Sequence, residues 1–511
     1  MSENRQLARN VFFNCGTFFI NLCLSFFLSP YLIRTVGKEA YGFYPLISNI
    51  IGYSSIISSA IGSMAGRFIT MSYYKRDYKE AQSYFNSVFF SNIVLSAFFA
   101  VLTLVGIFIL PRILQIPDYL LSDVKWMFGL SGFAMIIGLC FGIMGIGTYL
   151  KNRIDLSSMT DLGSHIVSAL VIILLFAFFN PTVAYVSVAA LSAAVFTMVV
   201  NFHWKRRFLP EFSVRPFSDH SLPKIKQLIT SGIWNSVNQL SNVLLTQLDL
   251  LISNIFISAS VTGDYALVKI IPNFMYSFLA VLSGSFTASF NILYAKGELE
   301  KLTQELQKAI KIVGYIACLP LGFILVFAKD FFSLWVPSAD AGFLAGLSFL
   351  TILPMIFGAS INPVFGVFTI TNKLRVPSLV LLGAGILNTT AIFILLKTTS
   401  LGIWAIVIVG AIQHALRNFF FSPTYAAHCL KLKWYTFYAN ILRCCIGLGI
   451  TAGVGLLVKQ ILSGDSWALL IAEGILVVMI SGAANLFIVL KRSDREYLVS
   501  WIKSHLAYDE N

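Results

Sequence analysis

Apolar residues run through this chain in long stretches separated by short polar joints. At about 20 mainly apolar residues per membrane crossing, the pattern predicts fourteen spans. The first six cover 10–33, 42–72, 83–111, 125–149, 158–179 and 182–203. The next six cover 227–257, 264–294, 312–334, 342–370, 377–396 and 401–427, and two more follow at 437–460 and 467–490. Several exceed the minimum length, as tilted or protruding helices do. Within this background the polar residues are ordered. Asn14, Thr17, Asn21 and Ser25 stripe the first span; Asn235, Asn238, Asn242 and Thr246 stripe the seventh, each displaced by 221 positions, and that stripe runs on to Asp249. Steps of 3, 4 and 4 keep such residues on one helical face. Amides and hydroxyls are costly in hydrocarbon, so a face made of them is expected to line a cavity.

The duplication extends past the stripes. Tyr74 and Arg76 match Tyr294 and Lys296 at an offset of 220, and Asn152, Arg153 and Gly163 match Asn372, Lys373 and Gly383 at the same offset. Tyr41 matches Tyr265 at 224. Both copies have six spans and start on the same side, which makes them parallel repeats about an axis along the membrane normal. The expected architecture is an all-α integral membrane protein with two six-helix lobes, 1–203 and 227–427, joined by a basic cytoplasmic linker at 204–226. Residues 428–490 add spans thirteen and fourteen as an appendix, and 491–511 read as a short amphipathic tail on the cytoplasmic side.

Charge orients the chain. Of its 36 Lys and Arg, 25 fall on the inner segments, 7 on outer loops or the span ends beside them, and 4 within spans. That bias places both termini in the cytoplasm and accounts for the net charge of +13 without any nucleic-acid partner. The composition agrees: 57% hydrophobic, 12% charged, mean hydropathy +0.80. The seven cysteines form no CxxC or CxxH pattern, so no disulfide framework or zinc site is expected. MSENRQLARN leads into the first span with no small-residue cleavage site, and that span is expected to be retained. The linker mixes Lys205, Arg206, Arg207, Arg215, Lys224 and Lys226 with Trp204, Phe208, Phe212 and Phe217, a pattern suited to lipid headgroups.

Enzyme readings fare poorly. No G-x-x-x-x-G-K-[ST] loop occurs, no cofactor or metal is called for, and no outer loop is long enough to display the acids and bases of a glycosyl polymerase. Ionisable residues inside spans are the stronger leads, because their cost singles them out. Arg34 closes span one on the outer side, and Arg67 lies about 9 Å from the inner end of span two at 1.5 Å per residue. Lys269 stands at a similar depth from the outer end of span eight, and Arg417 and His414 sit on span twelve beside Gln413 and Asn418. Together they describe a positive cavity suited to phosphate or pyrophosphate; the alternative for Arg67 and Arg417 is snorkelling to the inner headgroups. Asn14, Asn21, Asn235, Asn238 and Asn242 would complete the binding surface. Asp249 and Lys269 are either a structural ion pair or a switch opened by substrate or by a proton, and Glu473 is a second candidate for ion coupling. Pro45, Pro272, Pro320, Pro354 and Pro363 mark expected kinks.

The stretch Tyr31-Leu-Ile-Arg34-Thr-Val-Gly37-Lys-Glu-Ala-Tyr41-Gly42, the Gly62 to Arg67 segment and Gly263-Asp-Tyr265 to Lys269 carry a resemblance. With the six-plus-six-plus-two plan, they resemble the polysaccharide exporters, the Wzx-type flippases of the MATE-like multidrug/oligosaccharidyl-lipid/polysaccharide (MOP) superfamily. The resemblance implies flipping of an undecaprenyl-pyrophosphate-linked oligosaccharide across the bacterial inner membrane, by alternating access around a positive cavity, coupled to protons or membrane potential. Arg34, Arg67 and Lys269 fall on the family pattern. Besides the lipid-linked saccharide and membrane lipids, a polysaccharide polymerase and chain-length proteins are implied partners, and O-antigen, capsule or another exopolysaccharide the product. A peptidoglycan-precursor flippase, a cation-coupled drug exporter, and, from another class, a glycosyl polymerase or assembly scaffold are the alternatives.

Overall fold

The structure, a computed structural model, describes residues 3–490 except 216, 218, 372 and 463–465; the side chains of 3–5, 7, 8, 11, 12, 14, 15 and 288 are also outside the description. The expected tail at 491–511 therefore lies outside the described residues. All regular structure among the described residues is helical. Twelve helices there are long and apolar enough to cross a membrane, and thirteen spans result if one pair bent by 58° counts as a single span. The expected fourteen is thus approximate. The seventh expected span is a helix too, and the polar stripe that marks it dilutes its apolar character.

Packing divides the chain into two compact units, 1–266 with 381–386 and 267–380 with 387–511. The first holds α1 (Glu3–Val36), α2 (Lys38–Gly52), α3 (Ser55–Tyr74), α4 (Tyr78–Ile113), α5 (Leu121–Phe141), α6 (Ile146–Leu150), α7 (Ile154–Phe178), α8 (Ala184–Phe208), α9 (Leu222–Asn242) and α10 (Leu248–Phe256). The bend lies between α2 and α3, at Tyr53-Ser54. The sequence placed the kink at Pro45, but α2 continues through Pro45 at its middle and the bend falls at the end of that helix instead. A π-turn, Val243–Gln247, joins α9 to α10.

Three contacts organise this unit. At one end Asp155, fully buried, gathers the start of α1: it pairs with Arg9 at 2.9 Å and Arg153 at 3.0 Å and accepts from Gln6 Nε2 at 2.9 Å. In the middle, α3 and α9 approach so closely that a Cβ on Gly232 would strike the Ala60 carbonyl oxygen. Small residues permit such an approach where lipid offers no hydrophobic drive for association. At the far end Lys38 reaches Asp264 at 3.2 Å. The core includes Ile69, Phe85, Met144 and Leu228. Phe212 of the basic joint belongs to that core, and Lys205 Nζ donates to its carbonyl. The joint is thus partly folded into the protein; Phe217, 69% exposed, keeps the outward character expected of the whole.

The second unit takes most of α11 (Ala259–Ala295) and then α12 (Leu299–Trp335), α13 (Ala341–Ile352), α14 (Met355–Ile361), α15 (Phe365–Ile370), α16 (Arg375–Thr398), α17 (Ile403–Leu416), α18 (Ser422–Cys429), α19 (Tyr438–Ile461) and α20 (Trp467–Ile488). Pro354 falls at the break between α13 and α14 and Pro363 in the 3-10 turn before α15, while Pro272 and Pro320 lie inside continuous helices. The last two helices are well packed here. Gly322 of α12 admits Thr451 of α19, and Asn485 of α20 donates to Gly447 O at 3.1 Å and Thr451 Oγ1 at 2.9 Å. Lys459 and Asp330 pair α19 with α12.

Candidate functional site

In the second unit, a polar cluster inside a span surrounds the π-turn Arg417–Phe421, between α17 and α18. A π-turn inserts one residue into the helical register, and such turns concentrate at functional sites. His414 Nε2 lies 2.6 Å from the Tyr276 hydroxyl, Asn418 Nδ2 lies 3.1 Å from the same ring nitrogen, and Arg417 Nε donates to Asn418 Oδ1 at 3.2 Å. Asn418 is fully buried and acts as the hub, while Tyr276 is 36% exposed. Gly358 makes room: a Cβ there would come within 2.8 Å of His414 Cε1. The Gln413 amide nitrogen is buried with no hydrogen-bond partner among the described residues. The chain thus holds one permanent cation, one imidazole, one phenol and one amide together, with the guanidinium's terminal nitrogens still available for a planar anion. That is a fit for phosphoryl oxygens.

Of the residues singled out by sequence, the structure brings His414 and Arg417 together here. Tyr276 was missed, although a signal existed: it follows Lys269 by seven residues, two turns along one face of α11. Lys269 itself is half-buried. Glu473, 4% exposed on α20, stands within electrostatic range of the Asp330–Lys459 pair.

In the first unit Arg34 and Arg67 are both exposed, and among the described residues neither has a hydrogen-bond or ion-pair partner. Asp249 is buried and accepts from the Tyr265 hydroxyl at 3.1 Å. The polar stripe of α9 is divided in its use. Asn235 donates to Ser63 Oγ at 3.0 Å, within a ladder that also joins Ser236 to Ser59 at 3.1 Å and Gln239 to Ser55 at 2.8 Å. Asn21 and Asn238 are half-buried and Asn242 exposed, with no side-chain hydrogen bond among the described residues. The side chain of Asn14 lies outside the described residues, and Thr17 of its stripe donates to Ser158 O at 3.0 Å. The serine ladder on α3, Ser55, Ser59 and Ser63, is a second stripe at a spacing of four that sequence reading passed over.

Comparison with known proteins agrees with this architecture. The pattern of the family described as polysaccharide biosynthesis protein matches residues 7–291. The uncharacterized membrane protein EpsK of Bacillus subtilis (strain 168) is 27% identical over 494 residues, covering 95% of this chain and 96% of that protein. Among solved structures, an inward-facing multidrug resistance MATE family transporter of the MOP superfamily has a TM-score of 0.61 at 15% identity, over 80% of this chain and 96% of that one. The lipid II flippase MurJ, in an inward closed conformation, has a TM-score of 0.60 at 12% identity, over 93% of this chain and 98% of that one. At these identities the structural likeness carries the fold alone, and the fold is the MATE-like one expected.

Proposed function

The chain belongs to the polysaccharide biosynthesis protein family, and on that footing we propose that it is a flippase. Its cargo would be an undecaprenyl-pyrophosphate-linked oligosaccharide, carried from the cytoplasmic to the outer leaflet of the bacterial inner membrane for O-antigen, capsule or exopolysaccharide assembly. The observation that carries the reading is the Arg417–Asn418–His414–Tyr276 cluster at a π-turn inside a span. A pyrophosphate must shed water to enter hydrocarbon, and only charge-assisted donors repay that cost. The sugars need neutral donors and acceptors instead, which the half-buried Asn21 and Asn238 and the exposed Asn242 offer. Arg34, Arg67 and Lys269 would extend the positive surface. Asp249 and Glu473 are the carboxylates on which ion coupling would act, so that the lobes alternate around the cargo while its polyprenyl tail stays in lipid.

The test is to deplete the protein and follow undecaprenyl-pyrophosphate-linked sugars by amount and leaflet. The proposal expects complete repeat units to accumulate on the cytoplasmic side while surface polymer disappears. Unchanged surface polymer and no accumulation would overturn it, and accumulation of the peptidoglycan precursor instead would redirect it to that cargo.

A further inference from the structure

Within the first unit, a polar depression lies at the end that the charge bias assigns to the exterior. It is an open depression of about 310 Å³ between the N-terminus of α2, the segment after α4 and the N-terminus of α11. Glu39, Gln115, Ser258 and Ser260 line it with polar groups, and Ile116, Pro117 and Ala259 with apolar ones.

Its groups are held in place. The Gln115 backbone N–H donates to Asn254 Oδ1 at 2.9 Å, and its side-chain Nε2 donates to Ile255 O at 3.0 Å. That leaves the amide oxygen without a partner among the described residues. Glu39 Oε2 accepts from the Tyr119 hydroxyl at 2.9 Å, and Tyr119 is 71% exposed. Ser258 Oγ caps α11 by accepting from Val261 N at 3.2 Å, while the Ser260 hydroxyl has no partner among the described residues. Fixed geometry with unspent hydrogen-bonding capacity is what a preorganised site needs.

The mixture of groups selects the ligand. An anion would meet the Glu39 carboxylate and no cation among the lining residues. A hard cation wants about six oxygens from several carboxylates or carbonyls, and here one carboxylate is already shared with a phenol. An apolar ligand would cover the Ser260 hydroxyl and the Gln115 amide oxygen without pairing them. Sugar hydroxyls, each a donor and an acceptor, satisfy the serine hydroxyl, the amide oxygen and the carboxylate together, and Ile116 and Pro117 supply apolar contact for the ring carbons. At the lower end of ligand-pocket volumes, the space takes about one or two sugar rings.

We propose that this outer concavity is a saccharide subsite, binding one or two uncharged sugar rings of the transported glycan near the exit. The proposal rests on the flippase reading, which it deepens: it assigns the sugar end of the cargo a place apart from the phosphate end. Nearby in sequence, Lys38 and Asp264 form a 3.2 Å pair that ties the N-terminus of α2 to α11, the two helices that contribute Glu39 and Ser260.

The experiment is saturation-transfer NMR on the full chain in lipid nanodiscs. The probes are glucose, galactose, mannose, N-acetylglucosamine, N-acetylgalactosamine and rhamnose, with their common disaccharides. At least one probe should receive saturation, and the Glu39→Gln/Ser260→Ala double variant should bind it about tenfold more weakly, the loss expected for one charge-assisted hydrogen bond. Ala259→Trp, which fills the concavity, should abolish the signal. Matching size-exclusion profiles confirm that the variants fold, and Ser260→Ala alone serves if the double variant does not. No transfer to any probe, or transfer unchanged in the variants, overturns the subsite. The two readings fail separately. Failure of the wild-type protein to flip lipid-linked saccharide, with binding still sensitive to Glu39, removes the flippase and leaves the subsite. Flipping with no saccharide binding does the reverse.

Discussion

Gly42 and Gly263 meet backbone to backbone: a Cβ on Gly42 would lie 2.7 Å from the Gly263 Cα and 2.9 Å from its nitrogen. They are 221 residues apart, the same spacing that relates the polar stripes of the first and seventh spans. The approach brings the first turns of α2 against the first turns of α11 within the first unit. Beside it, Lys38 and Asp264 form their ion pair.

A contact between α2 and α11 that opens during transport should be trappable. Lys38→Cys/Asp264→Cys, placed in a background without the seven native cysteines, should crosslink under mild oxidant and stop cargo flipping. Reductant should restore it. Crosslinked protein with undiminished flipping would show that this end need not open. Gly42→Val should act differently, lowering flipping with or without reductant, because its side chain has no space.

The Arg417 cluster predicts a graded series. Arg417→Ala removes the only permanent cation of the cluster, and flipping in a reconstituted leaflet assay should fall by roughly 10- to 100-fold, the range of a charge-assisted hydrogen bond. Arg417→Lys should recover little of this, since an ammonium cannot reproduce the planar fork that reaches both Asn418 and a ligand. Tyr276→Phe deletes one hydrogen bond to His414 and should cost less, about tenfold or under. Equal activity in all three would remove the cluster from the mechanism.

Much of this was legible in the sequence because it depends on period and charge. Apolar length located the helices, and the steps of 3 and 4 aligned polar residues on one helical face, while the Lys and Arg bias stands as the expected orientation. What escaped depends on register and pairing. The bend at Tyr53-Ser54 has no proline to announce it, while α2 runs on through Pro45, the residue that looks like a hinge. The π-turns at Val243–Gln247 and Arg417–Phe421 carry no compositional mark. Asn235 and Asn238 look alike in a stripe, yet Asn235 has Ser63 as its partner, because the partner stripe on α3 is of serines and reads as ordinary small-residue packing.

At the other end of the first unit, Asp155 holds Arg9, Arg153 and Gln6. Asp155→Ala leaves two guanidiniums and an amide without their shared acceptor. Since Arg9 and Arg153 are about one-third exposed, water recovers part of the loss, and the cost should be about 1–3 kcal/mol. Thermal unfolding in detergent should show a lower midpoint, with proteolysis entering first near the start of α1. An unchanged midpoint would mean the network is ornamental to stability.

The α3–α9 seam separates packing from hydrogen bonding as the force between these helices. Ser59 and Ser236 share a hydrogen bond at 3.1 Å, and interhelical bonds of this kind inside membranes average about 0.6 kcal/mol, because the unfolded helices find other partners in the bilayer. Ser59→Ala/Ser236→Ala should therefore shift unfolding only slightly. Gly232 faces the Ala60 carbonyl with no room for a side chain. Gly232→Val must push the helices apart, costing about 1–3 kcal/mol in overpacking and lengthening every rung of the ladder on both sides. Unfolding in graded SDS measures both variants on one scale. A larger loss from the serine pair than from the glycine would invert the assignment: the ladder would then hold the seam, with Gly232 merely tolerated within it.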